Sequence, residues 1–207
     1  MLENAPDKST MQYHKDFLLL RKLLTGERGK SYVDIGANDP VEHSNTYWLS
    51  RMGWCGPVYE PYPDLLKWSQ KRYHDTVVVA AVSNYEGHAF MLKDGMLSRL
   101  ISEDEVRCQD CEIVHTVDAY TIVDCDYMDF CSIDAEGHEA TIINRLNWGK
   151  TNYCFNPGVV MVEAVENKTH RELWHEWEPT LLAAGYEFMG MPAGLNRFYK
   201  HKEYGNG

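Results

Sequence analysis

Four carboxylates stand in or at the ends of short apolar runs: Asp34 in "YVDIGANDP", Glu60 in "GPVYE", Asp134 in "FCSIDAEGHEA" and Glu163 in "VVMVEAV". Runs of this kind read as strands buried on both faces, and Gly36 ends the first of them sharply. A loop leaving the carboxyl end of a parallel strand is where open α/β sheets bind ligands. A dinucleotide would need the pattern G-x-G-x-x-G, whose glycines let backbone amides approach a pyrophosphate. Here Asn38 and Pro40 stand near the later glycine positions, and Pro40 has no amide to donate. Asp34 and Asp39 would repel a phosphate at close range, and no Gly-Lys-Ser/Thr follows to make a P-loop. An oxidoreductase therefore ranks low.

A nucleoside that carries positive charge and no phosphate suits this loop better. S-adenosylmethionine has a sulfonium, an ammonium, a carboxylate, a ribose and an adenine. Carboxylates beside Gly36, Ala37 and Asn38 balance its cations, and Gly36 lets a ligand lie against the backbone. Glu60, with Pro61 after it, ends the second strand and offers two oxygens to the ribose hydroxyls. An acidic ribose partner is expected about 20 residues or more after such a first loop. Alone, Glu60 would be read as a solvated carboxylate at a strand end.

The chemistry, if the chain has any, falls to the later strands. Asp134 ends a strand over the same crevice as Gly36, Gly137 permits a tight turn, and His138 opens a helix. A cofactor of that kind gives up its methyl group by in-line displacement, so alignment and a positioned base are what a protein must add. His138, Asp134 and Glu163 are the candidate catalytic groups, with Glu163 facing Asp134 across the crevice and touching the acceptor. Capping or surface placement is the alternative for His138. Glu136 and Glu139 suit the positive end of the helix dipole, a structural role. Asp134 and Glu163 could instead share Mg²⁺ or Mn²⁺, but the sequence identifies too few oxygen ligands, and no metal is assigned. Cys108, Cys111 and His115 have partial zinc spacing without a fourth ligand, so zinc is not assigned either.

These groups need elements to position them. A helix is expected over 14–24, a strand over 31–35, a helix over 45–52, a strand over 56–60 and a helix over 63–73. "TVVVAAV" (76–82) reads as one continuous buried strand. Residues 86–117 break the β/α rhythm as a hairpin and loop, an irregular insert whose Arg99 could donate a fork of hydrogen bonds to the acceptor or sit in a surface ion pair. A strand and helix follow over 128–146, a strand over 158–165, a helix over 169–185 bent or restarted at Pro179, and an antiparallel pair over 186–200. Trp48 and Trp54 offer surface for stacking on a sugar or simply pack, whereas Trp174, Trp177 and Leu181 share helical spacing and read as core.

The chain of 207 residues suits a single domain, with residues 1–28 as a helical cover. A formal charge of −11 argues against nucleic acid and anionic membranes as partners. "FLLLRKLL" is too short and too charged to cross a bilayer, and it lacks the pattern of a signal peptide. Six scattered cysteines fit reduced thiols in the cytoplasm.

In order, "YVDIGANDP", "SNTYWL", "GWCGPVYEPYP", "FCSIDAEGHEATII" and "VVMVEAV" resemble the FkbM-type family of S-adenosylmethionine-dependent methyltransferases, over roughly residues 31–165. The resemblance implies a Rossmann-like class I α/β fold: a mostly parallel seven-stranded sheet with helices on both faces and an antiparallel terminal hairpin. It implies that Asp34, Gly36, Ala37, Asn38 and Asp39 hold the methionine end of the cofactor. Thr46, within "SNTYWL", would join that cofactor set, as would Asp134. Glu60 and Pro61 would hold the ribose, with Val82 and Ser83 on the adenine side. Pro40 departs from the glycine common at that point in the family, which removes one backbone donor. Family members O-methylate hydroxyls, including those of sugars. The expected activity is thus O-methylation of a sugar or glycoconjugate. Another small metabolite, a lipid-linked precursor, a peptide, or a cofactor-binding module without turnover are the alternatives. The sequence sets no oligomeric state.

Overall fold

The computed structural model describes residues 11, 13–25, 29–106, 111–122, 128–149, 155–165 and 171–205. Helix α1 (His14–Leu23) leads into strand β1 (Tyr32–Ile35), then α2 (Tyr47–Ser50), β2 (Pro57–Tyr59), α3 (Leu65–Lys71) and β3 (Thr76–Val78). Four short strands follow as β4 (Ala81–Ser83), β5 (Gly87–Leu92), β6 (Arg99–Ile101) and β7 (Cys111–Asp118). The chain then runs through β8 (Phe130–Ile133), α4 (Glu139–Arg145), β9 (Val159–Glu163), α5 (Glu178–Ala183), β10 (Tyr186–Gly190) and β11 (Asn196–His201).

Seven of these strands make one mixed sheet, in the order β10-β11-β9-β8-β1-β2-β3. From β3 to β9 every pairing is parallel, and β11 runs antiparallel to both of its neighbours. Successive side chains on a strand point to opposite faces, and the apolar residues divide accordingly. Tyr32, Phe130, Val159, Met161 and Phe198 pack on one face with Phe17 and Leu20 of α1, Trp48 of α2 and Trp68 of α3. Val33, Ile35, Cys131, Ile133, Val160, Val162 and Tyr199 pack on the other with Ile142 and Ile143 of α4 and Leu181 of α5. Full burial of one such side chain stabilises by about 1.5–3 kcal/mol. Trp48 and Trp54 are both buried in the first of these cores, which settles their role as packing.

The stretch 76–82 is not one strand. Ala80 N bonds the Val78 carbonyl at 2.9 Å, a three-residue turn that ends the ladder, and Val79 points outward at 48 % exposure. The chain re-enters as β4, which joins a second sheet in the order β4-β7-β5-β6. The run stays apolar from Val77 to Val82 with no glycine, proline or polar residue at the break, so the change of sheet carries no turn signal. Residues 86–117, expected as a hairpin and loop, do hold an antiparallel pair, β5 with β6, and β7 adds six positions paired antiparallel to β5, while β4 runs parallel to β7.

Toward the carboxyl end, Trp174–Glu176 form one turn of 3₁₀ helix and α5 restarts with Pro179 in its first turn, as the proline predicts. Glu172 instead bridges Val165, so the helix is shorter than the apolar spacing suggested. Cys108 lies outside the described residues, and with it the cysteine–histidine set; His115 Nδ1 lies 2.9 Å from the Gly87 carbonyl oxygen. Among the described residues no helix is long and apolar enough to cross a membrane.

Gly36, at the end of β1, has φ +80°, and a Cβ built on it would lie 1.8 Å from the Asp134 carbonyl oxygen. Two strand ends meet there backbone to backbone, which only glycine permits. The substitution Gly36→Ala should destabilise the fold by more than about 2 kcal/mol, since both the left-handed backbone and the contact are lost. Thermal melting should show a fall of at least about 5 °C, given the scale for a chain of this size. An unchanged melting temperature would contradict the close contact.

Candidate functional site

A cavity of about 700 Å³ opens over the carboxyl ends of β1, β2, β8 and β9, within the roughly 300–1,000 Å³ usual for small-molecule sites. Its floor is the β1 loop. Gly36 and Ala37 donate their amides to the Tyr59 carbonyl, at 2.9 and 3.2 Å, and Asp134 N bonds the Ile35 carbonyl at 3.0 Å. The absent side chain of Gly36 therefore makes room for β8 rather than for a ligand.

Glu60 reaches into this cavity with its carboxylate already held. Oε2 accepts from Asn38 N and Oε1 from Tyr62 N, each at 2.9 Å. Asn38 can present its amide this way because it sits at φ +47°, a region asparagine tolerates. Burial pushes the Glu60 carboxyl up, and the two backbone bonds oppose that shift. Each oxygen keeps a second lone pair, so the fixed carboxylate can still accept two more hydrogen bonds. Pro61 and Val82 line the same end of the cavity.

At the other end three carboxylates converge. Oxygens of Asp134, Glu136 and Glu163 lie within 4.8 Å of one another, close enough for one cation to bridge them. Asp134 and Glu163 stand close enough to share a hydrogen bond when one of them is protonated. Burial and the neighbouring negative charges push both carboxyls up, Glu163 more strongly, with Asp134 first among the charges acting on it. Like charges so close cannot both ionise readily, so the pair retains a proton at neutral pH. Asn45 reaches Ser132 Oγ at 3.1 Å and also bonds Asp134. Tyr13 lines this end, its phenol raised by burial and by the carboxylates of Asp16, Glu163 and Asp134. Asn196 lines it too, held by Asp16 Oδ2 at 2.9 Å.

The remaining expected residues are scattered around this centre. His138 precedes α4 and lines the cavity, with Nε2 3.1 Å from Ser83 Oγ, and burial lowers its pKa so that the neutral imidazole is favoured. Ser83 is buried behind it and does not line the cavity. Asp39 also stands outside the wall: Oδ1 accepts from the amides of Val41 and Glu42, and Oδ2 pairs with Lys67. Those amides close the turn that Pro40, lacking one, cannot close itself. Thr46 is buried beneath the site, donating to Asp34 Oδ2. Arg99 does line the cavity, but its guanidinium is paired with Glu105 at 3.1 Å.

Sequence reasoning missed Tyr13, Asn45 and Asn196, and took Glu136 for a dipole residue. Tyr13 and Asn196 arrive from distant parts of the chain through the Met11–His43 bridge and the Asp16 contacts, for which no local pattern exists. Glu136 has φ +50°, so it belongs to the turn before α4 and not to the helix. Glu139 does serve the helix start, accepting from Ala135 N at 2.8 Å and from Gly137 N.

The family model of the methyltransferase FkbM domain matches residues 34–188, three quarters of the chain. The chain belongs to the FkbM methyltransferase family. Every strand-end carboxylate of the cavity falls inside the matched FkbM domain, whereas Tyr13 and Asn196 lie outside it. The crystal structure of methyltransferase FkbM from Methylobacillus flagellatus is similar, with a TM-score of 0.51 and 14 % identity. The likeness covers 83 % of this chain and 43 % of that one, so this chain spans less than half the length of that protein. At that identity the likeness is one of fold. No curated protein matches the chain.

Burial pushes Glu139 up to about 7, well above its unfolded value, and it moves Asp134 in the same direction. Between the unfolded and folded values the native FkbM domain holds protons that the unfolded chain releases. That contribution to stability is full below the unfolded value and is lost as pH rises through about 7. Thermal melting should therefore occur at a higher temperature near pH ~5.5 than near pH ~7.5. Glu139→Gln, which keeps an acceptor for Ala135 N, should flatten that slope; an unaltered slope would remove Glu139 as its source.

Proposed function

We propose that the cavity binds S-adenosylmethionine and that the protein, acting as a single methyltransferase domain in the cytoplasm, methylates a hydroxyl of a sugar or glycoconjugate. The observation that carries this reading is Glu60: a carboxylate at the end of β2, fixed by two backbone amides, with free lone pairs facing the cavity. The donor set fits the cofactor. Glu60 suits a ribose diol, Asp34 and Asp134 suit positive charge, and no cradle of amides for a pyrophosphate accompanies them. Gly36 and Asn38 would bound the methionine end, and Pro61 and Val82 the base.

When bound, the cofactor supplies a methyl group on a sulfonium, which is electrophilic without further activation. The chain's own work is to align the acceptor oxygen and take its proton. Asp134 and Glu163 are suited to that task, because a carboxyl pair holding one proton can orient a hydroxyl through the protonated member. The ionised member accepts the hydroxyl proton as the new oxygen–carbon bond forms. His138 is held toward Ser83, so its part is to position the cavity wall beside β4 and not to act as the base. Tyr13 and Asn196 offer a donor and an amide to the acceptor's other hydroxyls. The Asp134–Glu136–Glu163 cluster favours a second reading, in which a divalent cation acidifies the hydroxyl.

Calorimetry should show micromolar binding of S-adenosylmethionine and of its demethylated product, and none of NAD. Glu60→Ala should weaken cofactor binding by about 1.5–3 kcal/mol, the worth of hydrogen bonds to a charged group. NAD binding as tight as that of S-adenosylmethionine would reject the reading, and unchanged affinity in a folded Glu60→Ala protein would reject the ribose assignment.

With labelled cofactor and a panel of oligosaccharides, Asp134→Asn should lower turnover by about 10²- to 10⁴-fold with a smaller effect on cofactor affinity. His138→Ala should cost less than about tenfold in turnover, short of what a general base contributes. Chelators should leave activity intact; activity lost to a chelator and restored by Mg²⁺ or Mn²⁺ would move the assignment to the metal reading. Binding without methylation of any acceptor would leave a cofactor-binding module.

A further inference from the structure

Beneath the cavity lies a buried cation. Arg72, just past the end of α3, is 1 % exposed, and its guanidinium stacks 4.6 Å from the Trp68 ring. It donates to Asp75 Oδ2 at 2.6 Å, to Ser44 Oγ at 3.0 Å, and to both Tyr32 Oη and Thr46 Oγ1 at 2.7 Å. The Thr46 hydroxyl therefore accepts from Arg72 and has its own proton to give, which goes to Asp34 Oδ2 at 2.5 Å. Tyr32 is committed elsewhere, donating to Asp75 Oδ1 at 2.6 Å. Ser44 accepts from Tyr47 N at 3.1 Å as well, so the same cation pins the segment 42–45 that walls the cavity.

From this geometry we infer that Arg72, acting through the Thr46 hydroxyl, is a positioning residue that keeps Asp34 a carboxylate beneath the cofactor. The inference rests on the reading that the cavity binds S-adenosylmethionine. Asp34 is the most deeply placed acid of the site and touches no cation directly. Burial pushes its carboxyl up; Arg72 is first among the groups opposing that, followed by the hydrogen bonds from Thr46 and Ser132. The other charged groups acting around it are Asp75 beside Arg72, Asp134 at the end of β8 and Glu60 at the end of β2, all acidic. Without the Thr46 hydroxyl, only the field of Arg72 and the neighbouring Ser132 hold the carboxylate against three negative neighbours and a dry environment. A neutral Asp34 would have no charge to set against a cationic ligand.

Thr46→Val keeps the shape of the side chain and removes the hydroxyl, Thr46→Ser keeps the hydroxyl, and Thr46→Ala guards against a valine that fails to fold. Carboxyl-carbon NMR titration of Asp34 reads the relay directly, without any ligand. The midpoint should rise by about one unit or more in the valine and alanine variants, the worth of a hydrogen bond to a charged group, and stay within a few tenths in the serine variant. Calorimetry with S-adenosylmethionine across pH should show binding lost at a higher pH in Thr46→Val than in the wild type, with Thr46→Ser restoring the profile. An unmoved Asp34 midpoint in both valine and alanine variants, or an equal shift in all three, would overturn the relay. A wild-type protein that fails to bind S-adenosylmethionine at any pH would overturn the cofactor reading, while the NMR midpoints still decide the relay.

Discussion

The backbone contact between Gly36 and Asp134 is the constraint from which the site follows. Ladder hydrogen bonds hold β1 and β8 side by side, but strands diverge where their loops begin unless something keeps them together. Here the Asp134 carbonyl occupies the space a side chain would take on Gly36, and Asp134 N closes onto the Ile35 carbonyl. The loops thus leave the sheet as a joined pair. Everything on them inherits that position: the Asn38 amide that orients Glu60, and the turn that carries Asp134, Glu136 and His138.

Acidic side chains can be gathered at such a place only because the rest of the sheet supports them. Along β1, β8 and β9 the apolar residues alternate between two helical layers, and polar residues occupy the same face near the carboxyl ends: Asp34, Ser132 and Glu163. A buried carboxylate is costly unless it is hydrogen-bonded, paired or neutralised. The protein uses all three remedies at neighbouring positions. Glu60 takes backbone amides, Asp34 takes a hydroxyl with a cation behind it, and the Asp134–Glu163 pair keeps a proton.

Much of this was legible in the residues. Apolar runs gave the central strands nearly to the residue, because burial on both faces leaves a continuous signal, as in "VVMVEAV". Carboxylates at the ends of those runs gave Asp34, Glu60, Asp134 and Glu163, all of which line one cavity. The failures have a common cause. Asp39 and Thr46 have the right chemistry in the right loop, yet their side chains are consumed by local turns and by the network around Arg72. Arg72 itself reads as one more charged residue near the end of an amphipathic helix. Its burial depends on Asp75, Tyr32, Ser44 and Thr46, partners that spacing along the chain does not bring together. The break at Val79–Ala80 was equally invisible, since valine and alanine carry no signal for a change of sheet.

That break separates two kinds of material. The strands before it, with β8 to β11, belong to the sheet whose two helical layers make up most of the core, while β4 to β7 build a smaller sheet with its own cluster around Ala81, Met91 and Val114. One wall of the cavity, from Met91 to Leu100, belongs to the smaller sheet. Insertions, deletions and substitutions between β5 and β6 can reshape that wall without entering the main core. The strand-end carboxylates thus stand on one sheet and the wall that faces them on another, which leaves the main sheet at Val79–Ala80 and returns to it at β8.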